Sequence, residues 1–415
     1  MKKLCILLIL FSLLFSCKND DDVVPEVTDS LKIDTVFASI GELKQRISEY
    51  STFSETSKRD SVLTILFNTL KTNNKIPYVK DDSVLFLAYN KSASSISWAG
   101  DFNGWDASSE NWLGSKIETA GVWYLDKTFP TDARLDYKII VNENSWILDS
   151  YNQYIQYSGF GPNSELRMPM WIFPQETILK QGVNIGTLSS NIIIASSNLG
   201  YNLQYKVYQP YNYENLNNLP VVYVTDGHEY SDDKLGAMLI VTDNLISSGD
   251  IEPIIIVFID PRNPSNLNQN RRAEQFRGNP DFLAFVAYEL VPFIDANYKT
   301  DISADKRAIM GTSYGGWNAS YFGLMRSDVF GLLCIHSPAF DTSIPDAYEQ
   351  IEKLPLKIFM STGVINDTQV NARLMENVLQ TKGYTYQYIE VNQGHSWGNW
   401  RALIDEPLIF FFGTK

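Results

Sequence analysis

Residues 307–316 read Arg307-Ala308-Ile309-Met310-Gly311-Thr312-Ser313-Tyr314-Gly315-Gly316. A short apolar run ends in a Gly-x-Ser-x-Gly turn, and the stretch from Gly316 to Met325 that follows reads as a helix. Strand, tight turn and helix together give the glycines a steric meaning. The turn holds the serine in a strained conformation, and a side chain on either glycine would collide with strand or helix. Ser313 is therefore expected to stand exposed above a sheet as a nucleophile.

Working outward, similar short apolar runs recur at Leu219–Val224, Ile254–Ile259 and Leu356–Met360. Continuous rather than alternating runs suit strands buried on both faces of a mostly parallel sheet. Helical patterns between them, such as Phe282–Tyr298, predict a doubly wound α/β domain from about residue 175 to 415.

A serine hydroxyl needs a base to take its proton. In strand–nucleophile–helix folds of this kind the chain order is nucleophile, acid, histidine. The chain has three histidines. His228 precedes Ser313, and His336 follows it too closely to leave room for an acid on a later strand, so His395 is the candidate base. The acid belongs at the end of a strand between them, where it can fix the imidazole tautomer. Asp367, after Leu356–Ser361, is the first choice and Asp341 the reserve. An oxyanion hole needs two backbone N–H groups. Tyr314 supplies one; Gly227 or His228, in the loop after Val221–Val224, supplies the other.

The preceding part of the chain has a different texture. Apolar positions recur at helical spacing from Ser39 to about Leu70, predicting two short helices that pack against the next domain. After Ile76-Pro77, short β-like runs separated by turn residues predict a β-sandwich over about 77–174. Gly161–Pro169 reads as a linker. Gly100-Asp101-Phe102-Asn103-Gly104-Trp105, with Val122-Trp123 and Leu135-Asp136-Tyr137, resembles the immunoglobulin-like early-set domain that precedes glycogen-branching, isoamylase and some esterase catalytic domains. That resemblance implies a carbohydrate-stacking role for Trp98, Trp105, Trp112 and Trp123. The preferred reading of an aromatic in a sandwich is core, and a third possibility is that the sandwich walls one side of the site.

Val224-Thr225-Asp226-Gly227, Phe258-Ile259-Asp260, Arg271-Arg272-Ala273-Glu274, Glu289-Leu290-Val291-Pro292, the serine turn, Ser337-Pro338, and Gly394-His395 with Trp400-Arg401 together resemble the esterase D family of α/β-hydrolases. A sandwich ahead of the hydrolase and an Arg-rich loop after Ile-Asp are most similar to its enterochelin esterase branch. The implied reaction is hydrolysis of a siderophore trilactone through an acyl-Ser313 intermediate. Feruloyl or acetyl-xylan ester hydrolysis is the alternative, since xylan-directed members also join a sandwich to this domain. The family's histidine is usually followed by an acid, a place taken here by Ser396.

Arg271, Arg272 and Arg277 are candidates to meet an anionic catecholate, or else pair with Glu274 or Asp281. Trp397 and Trp400 are further substrate-binding candidates. A rival of another class is a non-catalytic glycan-binding surface lipoprotein.

Composition narrows the partners. A net charge of −14 argues against a nucleic-acid or anionic-membrane surface. There is no His-Glu-x-x-His, and no Gly-x-Gly-x-x-Gly after the first strand of the α/β domain, so neither metal nor other cofactor is expected.

Residues 1–16 carry Lys2 and Lys3 before an apolar run shorter than the about 20 residues that span a membrane, which reads as a signal peptide. The run ends in Leu14-Phe15-Ser16-Cys17, which resembles a lipobox and implies lipidation of Cys17. Residues 17–36 then form a tether on an exported protein, lipid-anchored to the bacterial cell envelope at the outer membrane, with the cell surface as the alternative face.

Overall fold

The computed structural model describes residues 33–415 apart from Thr35, Glu118 and Thr119. The expected signal peptide, Cys17 and most of the tether lie outside the described residues.

Helices Ile40–Ser51 and Thr56–Thr72 come first. Ser39 caps the first, its hydroxyl accepting the Glu42 N–H at 3.1 Å. Both helices lie on a β sheet that includes strands Ser83–Tyr89 and Val122–Thr128. Strand Ser83–Tyr89 is buried on both faces and shows how the layers are sorted. Leu85 and Leu87 meet Leu43, Leu63, Phe67 and Leu70 of the helices, whereas Val84, Phe86 and Ala88 meet Trp98, Leu135, Tyr137 and Ile139 of a second sheet. Period-two side chains thus join three layers, helices, sheet and sheet.

The second sheet holds Ile96–Gly100, Arg134–Val141, Ser145–Ile147, Ile155–Ser158 and Gly161–Arg167. Here a sequence expectation fails. Gly161–Arg167 is a strand paired antiparallel with both Arg134–Val141 and Ile155–Ser158, not a linker. Its polar side chains are recruited inward: Asn163 donates to Asp136, Ser164 accepts the Asp149 N–H, and Glu165 pairs with Arg134.

Among the described residues, the second domain is built on a nine-stranded sheet. Strands Ile255–Asp260, Val221–Val224, Arg307–Thr312, Leu332–His336, Lys357–Gly363 and Thr385–Val391 lie side by side in that order, all parallel. Asn202–Gln209 runs antiparallel beside the first of them. The apolar runs divide between two cores. Tyr223, Val257, Ile309, Ile335 and Ile358 pack on one face with helices Tyr314–Arg326 and Gln369–Thr381, while Val222, Ile256, Met310, Cys334 and Phe359 pack on the other with Met238–Ser248 and Asp405–Phe412. This is the expected doubly wound arrangement.

The helix expected over Phe282–Tyr298 is present but contains a π turn at Phe285–Leu290, just ahead of Pro292. Pro292 has no N–H to donate to a carbonyl one turn back, and a widened turn accommodates it.

Candidate active site

Strand Arg307–Thr312 delivers Ser313 to the top of the sheet and helix Tyr314–Arg326 leaves immediately after it. Ser313 has φ 57° and ψ −117°, a region that costs a non-glycine residue on the order of 1–3 kcal/mol. Neighbouring hydrogen bonds hold it there: its N–H donates to His336 O at 2.9 Å, and its carbonyl accepts from Trp317 and Ala339 at 3.0 Å each. The flanking glycines act as expected. A Cβ at Gly315 would sit 2.5 Å from Thr225 Oγ1, and one at Gly311 would overlap the Gly315 backbone.

The three expected side chains come together. His395 Nε2 lies 2.9 Å from Ser313 Oγ, and His395 Nδ1 lies 2.6 Å from Asp367 Oδ1. The other carboxylate oxygen of Asp367 accepts from Ser337 Oγ at 2.6 Å, the Gly363 N–H at 2.7 Å and Asn399 Nδ2 at 3.3 Å. Burial alone would raise the Asp367 pKa, but the His395 ring, Ser337 and Gly363 outweigh it and hold the carboxyl below its ordinary range. Trp400 packs edge-on to the His395 ring, centroids 5.0 Å apart, and donates its indole N–H to Ser337 at 2.9 Å. A base oriented by a buried carboxylate and bonded to a hydroxyl can draw off the hydroxyl proton.

The reserve and excluded residues lie elsewhere. Asp341 is exposed and accepts the Ser343 N–H at 3.0 Å. His336 is fully buried against Ser361 and Phe359, and burial pulls its pKa down to about 3.

Tyr314, and Gly227 and His228, occupy the first positions of helices Tyr314–Arg326 and Gly227–Tyr230. N–H groups at helix starts have no acceptor within their own helix, which leaves them free for an oxyanion. The His228 ring sits between Asp260 (3.4 Å) and Glu229 (3.7 Å), and burial lowers its pKa.

The expected arginine cluster disperses. Arg272 lines the cavity, but it is bonded to Asp226 Oδ2 at 2.7 Å and to Thr312 O at 3.1 Å. Arg271 stacks on Tyr201 at 3.9 Å, and exposed Arg277 lies over Tyr314 and Trp317. The pairing considered with Glu274 or Asp281 gives way to these contacts.

Ser313 and His395 open into a cavity of about 630 Å³ whose far wall belongs to the β-sandwich. Trp397 and Trp400 line it, with Glu229 accepting the Trp397 indole N–H at 2.7 Å. The sandwich contributes Asp101, Trp105, Asp136, Lys138, Trp146 and Phe160. Trp105 and Trp146 stand near-parallel, 22° apart with centroids separated by 6.4 Å. Trp98 and Trp123 are core, as preferred from sequence, and Trp112 stacks on Phe102. Trp146 and Phe160 escaped the sequence reading, because no local motif marks a residue that becomes important by facing another domain.

A family model described as "Putative esterase" matches residues 196–368. A curated relative, the uncharacterized protein YjcH of Bacillus subtilis, is 26% identical over 225 residues, covering 51% of this chain and 92% of the relative. The endo-1,4-beta-xylanase/feruloyl esterase of Xylanibacter ruminicola is 28% identical over 160 residues, 37% of this chain and 22% of that protein. Among solved structures, the enterobactin esterase FES from Shigella flexneri has a similar fold, with a TM-score of 0.66 at 19% identity over 79% of this chain and 92% of that one. Taken with the serine turn and the doubly wound sheet, the esterase model matched over residues 196–368 supports a serine ester hydrolase, and the likeness to the enterobactin esterase shows an α/β-hydrolase fold.

Proposed function

We propose that the chain cleaves a bulky, ring-bearing ester through an acyl-Ser313 intermediate. The observation that carries this reading is the unbroken relay from Ser313 Oγ through His395 to Asp367, at 2.9 and 2.6 Å, opening on one cavity. In the first half-reaction His395 Nε2 takes the hydroxyl proton as Ser313 Oγ attacks the ester carbonyl. The oxyanion is received by the N–H of Tyr314 and that of Gly227 or His228, each such donor being worth about 10²–10³ in rate. His395 then gives the proton to the departing alkoxide. Water enters by the reverse proton path and releases the acid.

For the substrate, the likeness of fold to an enterobactin esterase supports a siderophore trilactone, and the feruloyl esterase relative supports an aryl ester on a polysaccharide as the second reading. Both carry rings, which the indole faces of Trp105 and Trp146 suit. Asp101, Asp136 and Glu229 line the cavity together with Lys138 and Arg272, of which Asp136 is paired with Arg134 and Arg272 is engaged by Asp226, while Arg271 and Arg277 are outside the lining. That balance favours an uncharged ester, such as an iron-free trilactone, over a strongly anionic iron complex. We further propose export and lipid anchoring at Cys17 to the outer membrane, a reading supported by Lys2, Lys3 and the apolar run before Leu14-Phe15-Ser16-Cys17.

The test incubates wild type and Ser313→Ala with iron-free and iron-loaded catecholate trilactone and with feruloylated and acetylated xylan oligosaccharides, and identifies products by mass spectrometry. Ser313-dependent opening of the iron-free trilactone supports the first reading. Release of ferulate or acetate alone replaces it with the second, and preference for the iron-loaded form overturns the charge argument.

A further inference from the structure

His395 lies on a loop between Gly394 and helix Trp397–Arg401, which contains Gly398, and each glycine faces one side chain of the sandwich. A Cβ at Gly394 would overlap the carboxyl of Asp101, and one at Gly398 would overlap the guanidinium of Arg134. Gly394 and Gly398 are absent from the positive-φ residues, so these contacts, not backbone conformation, make glycine necessary there.

Arg134 is fully buried, with ion pairs to Asp136 Oδ1 and Glu165 Oε1 at 2.5 Å each. From that position it donates to Ser396 Oγ, next to His395, at 3.2 Å. Its main chain continues the contact: Arg134 N–H donates to Asn392 O at 3.2 Å, and Arg134 bridges Gln393 in parallel. The acid's loop is held in the same way. Asn366, beside Asp367, donates to the backbone carbonyl of Asp101 at 2.8 Å, and Ile365 packs against the sandwich core. Asp101 is fixed in turn by the Asp136 N–H at 2.8 Å and the Trp105 indole N–H at 3.2 Å. The two loops also bond to each other, Ile365 N–H to Gln393 O at 3.2 Å.

We infer that Arg134 and Asp101 are positioning residues of the Ser313–His395–Asp367 relay, so that the sandwich sets the alignment of His395 and Asp367 as well as walling the cavity. The inference rests on the proposed roles of those three residues. Misplacement of a catalytic group by about 1 Å costs about 10²-fold in rate, and a buried guanidinium hydrogen-bonded to Glu165 and ion-paired with Asp136 is a rigid support.

The test uses the full folded domain pair and a fluorophosphonate probe that reacts covalently with an activated serine. The labelled fraction at completion reports how much protein is folded, and the rate constant reports how well His395 activates Ser313. For Gly398→Ala, Arg134→Lys and Asn366→Ala, the rate constant is expected to fall about tenfold or more, with the labelled fraction at completion and the KM for a small ester unchanged. In the Arg134→Lys background Gly398→Ala is expected to cost less than in wild type, because the slimmer ammonium frees the space the methyl needs. Wild-type rate constants in Gly398→Ala and Asn366→Ala, or strictly additive effects in the double variant, overturn the positioning role. Should Arg134→Lys not fold, the other two single variants decide. Failure of wild type to label at all is a separate result that removes the Ser313 reading itself.

Discussion

Trp397 donates its indole N–H to Glu229 across 2.7 Å, tying the segment that follows His395 to the short helix Gly227–Tyr230 after strand Val221–Val224. Burial, and then the charge of Asp226, push the Glu229 carboxyl up to about 7 from its ordinary 4.5. An acid with a raised folded pKa favours the folded state below its unfolded pKa, and that contribution is lost as pH rises through the folded value. The loss therefore falls between about 4.5 and about 7 for Glu229. Glu229→Gln is expected to melt a few degrees higher than wild type at about pH 8 and at the same temperature near pH 4. Thermal unfolding at the two pH values checks this; an equal difference at both would mean that Glu229 does not ionise in that window.

The two indoles on the sandwich predict a substrate-dependent defect. Trp105→Ala and Trp146→Ala are each expected to raise KM for a ring-bearing ester about fivefold, as loss of about 1 kcal/mol of stacking implies. Hydrolysis of methyl acetate, which carries no ring to stack, is expected to stay at the wild-type rate. Equal losses on both substrates would point instead to a distorted cavity.

Asp367 and Asp341 separate cleanly by kinetics. Asp367→Asn removes the carboxylate that holds the imidazole tautomer and is expected to lower kcat by about 10⁴-fold. Asp341→Asn changes only a turn contact with Ser343 and is expected to leave kcat unaltered.

Arg272 supports Asp226, which is 1% exposed. Removing one partner of a buried pair strands the other charge, so Arg272→Ala is expected to lose about 3 kcal/mol in urea unfolding. Adding Asp226→Asn is expected to recover much of that loss. No recovery would assign the effect to packing of the guanidinium over Tyr314.

How much of this was legible in the sequence depended on how local the cause was. The parallel strands were readable because burial on both faces writes an unbroken apolar run, as in Ile255–Asp260. Ser313 was readable because its turn is made within a few residues, and His395 and Asp367 because chain order restricts the choice. Gly161–Arg167 was misread because its strand is held by polar side chains whose partners lie elsewhere, with Glu165 and Arg134 separated by 31 positions. The Arg134–Ser396 bond spans 262 positions. No periodicity or motif announces such a pair, and the same holds for the placing of Trp105 and Trp146 opposite Ser313. The arginine run was legible as charge but not as a site, since only the fold shows Asp226 taking up Arg272.

The central claim is that Ser313, activated by His395, carries the acyl group. The most direct measurement is the initial rate of p-nitrophenyl butyrate hydrolysis by wild type and Ser313→Ala, with the intact mass of wild type read after acid quench during turnover. The account predicts a wild-type mass increased by one butyryl group located on Ser313, and a fall in rate of several orders of magnitude, about 10⁶-fold at the extreme, in Ser313→Ala. Undiminished hydrolysis by Ser313→Ala, or an acyl group on another residue, would contradict it.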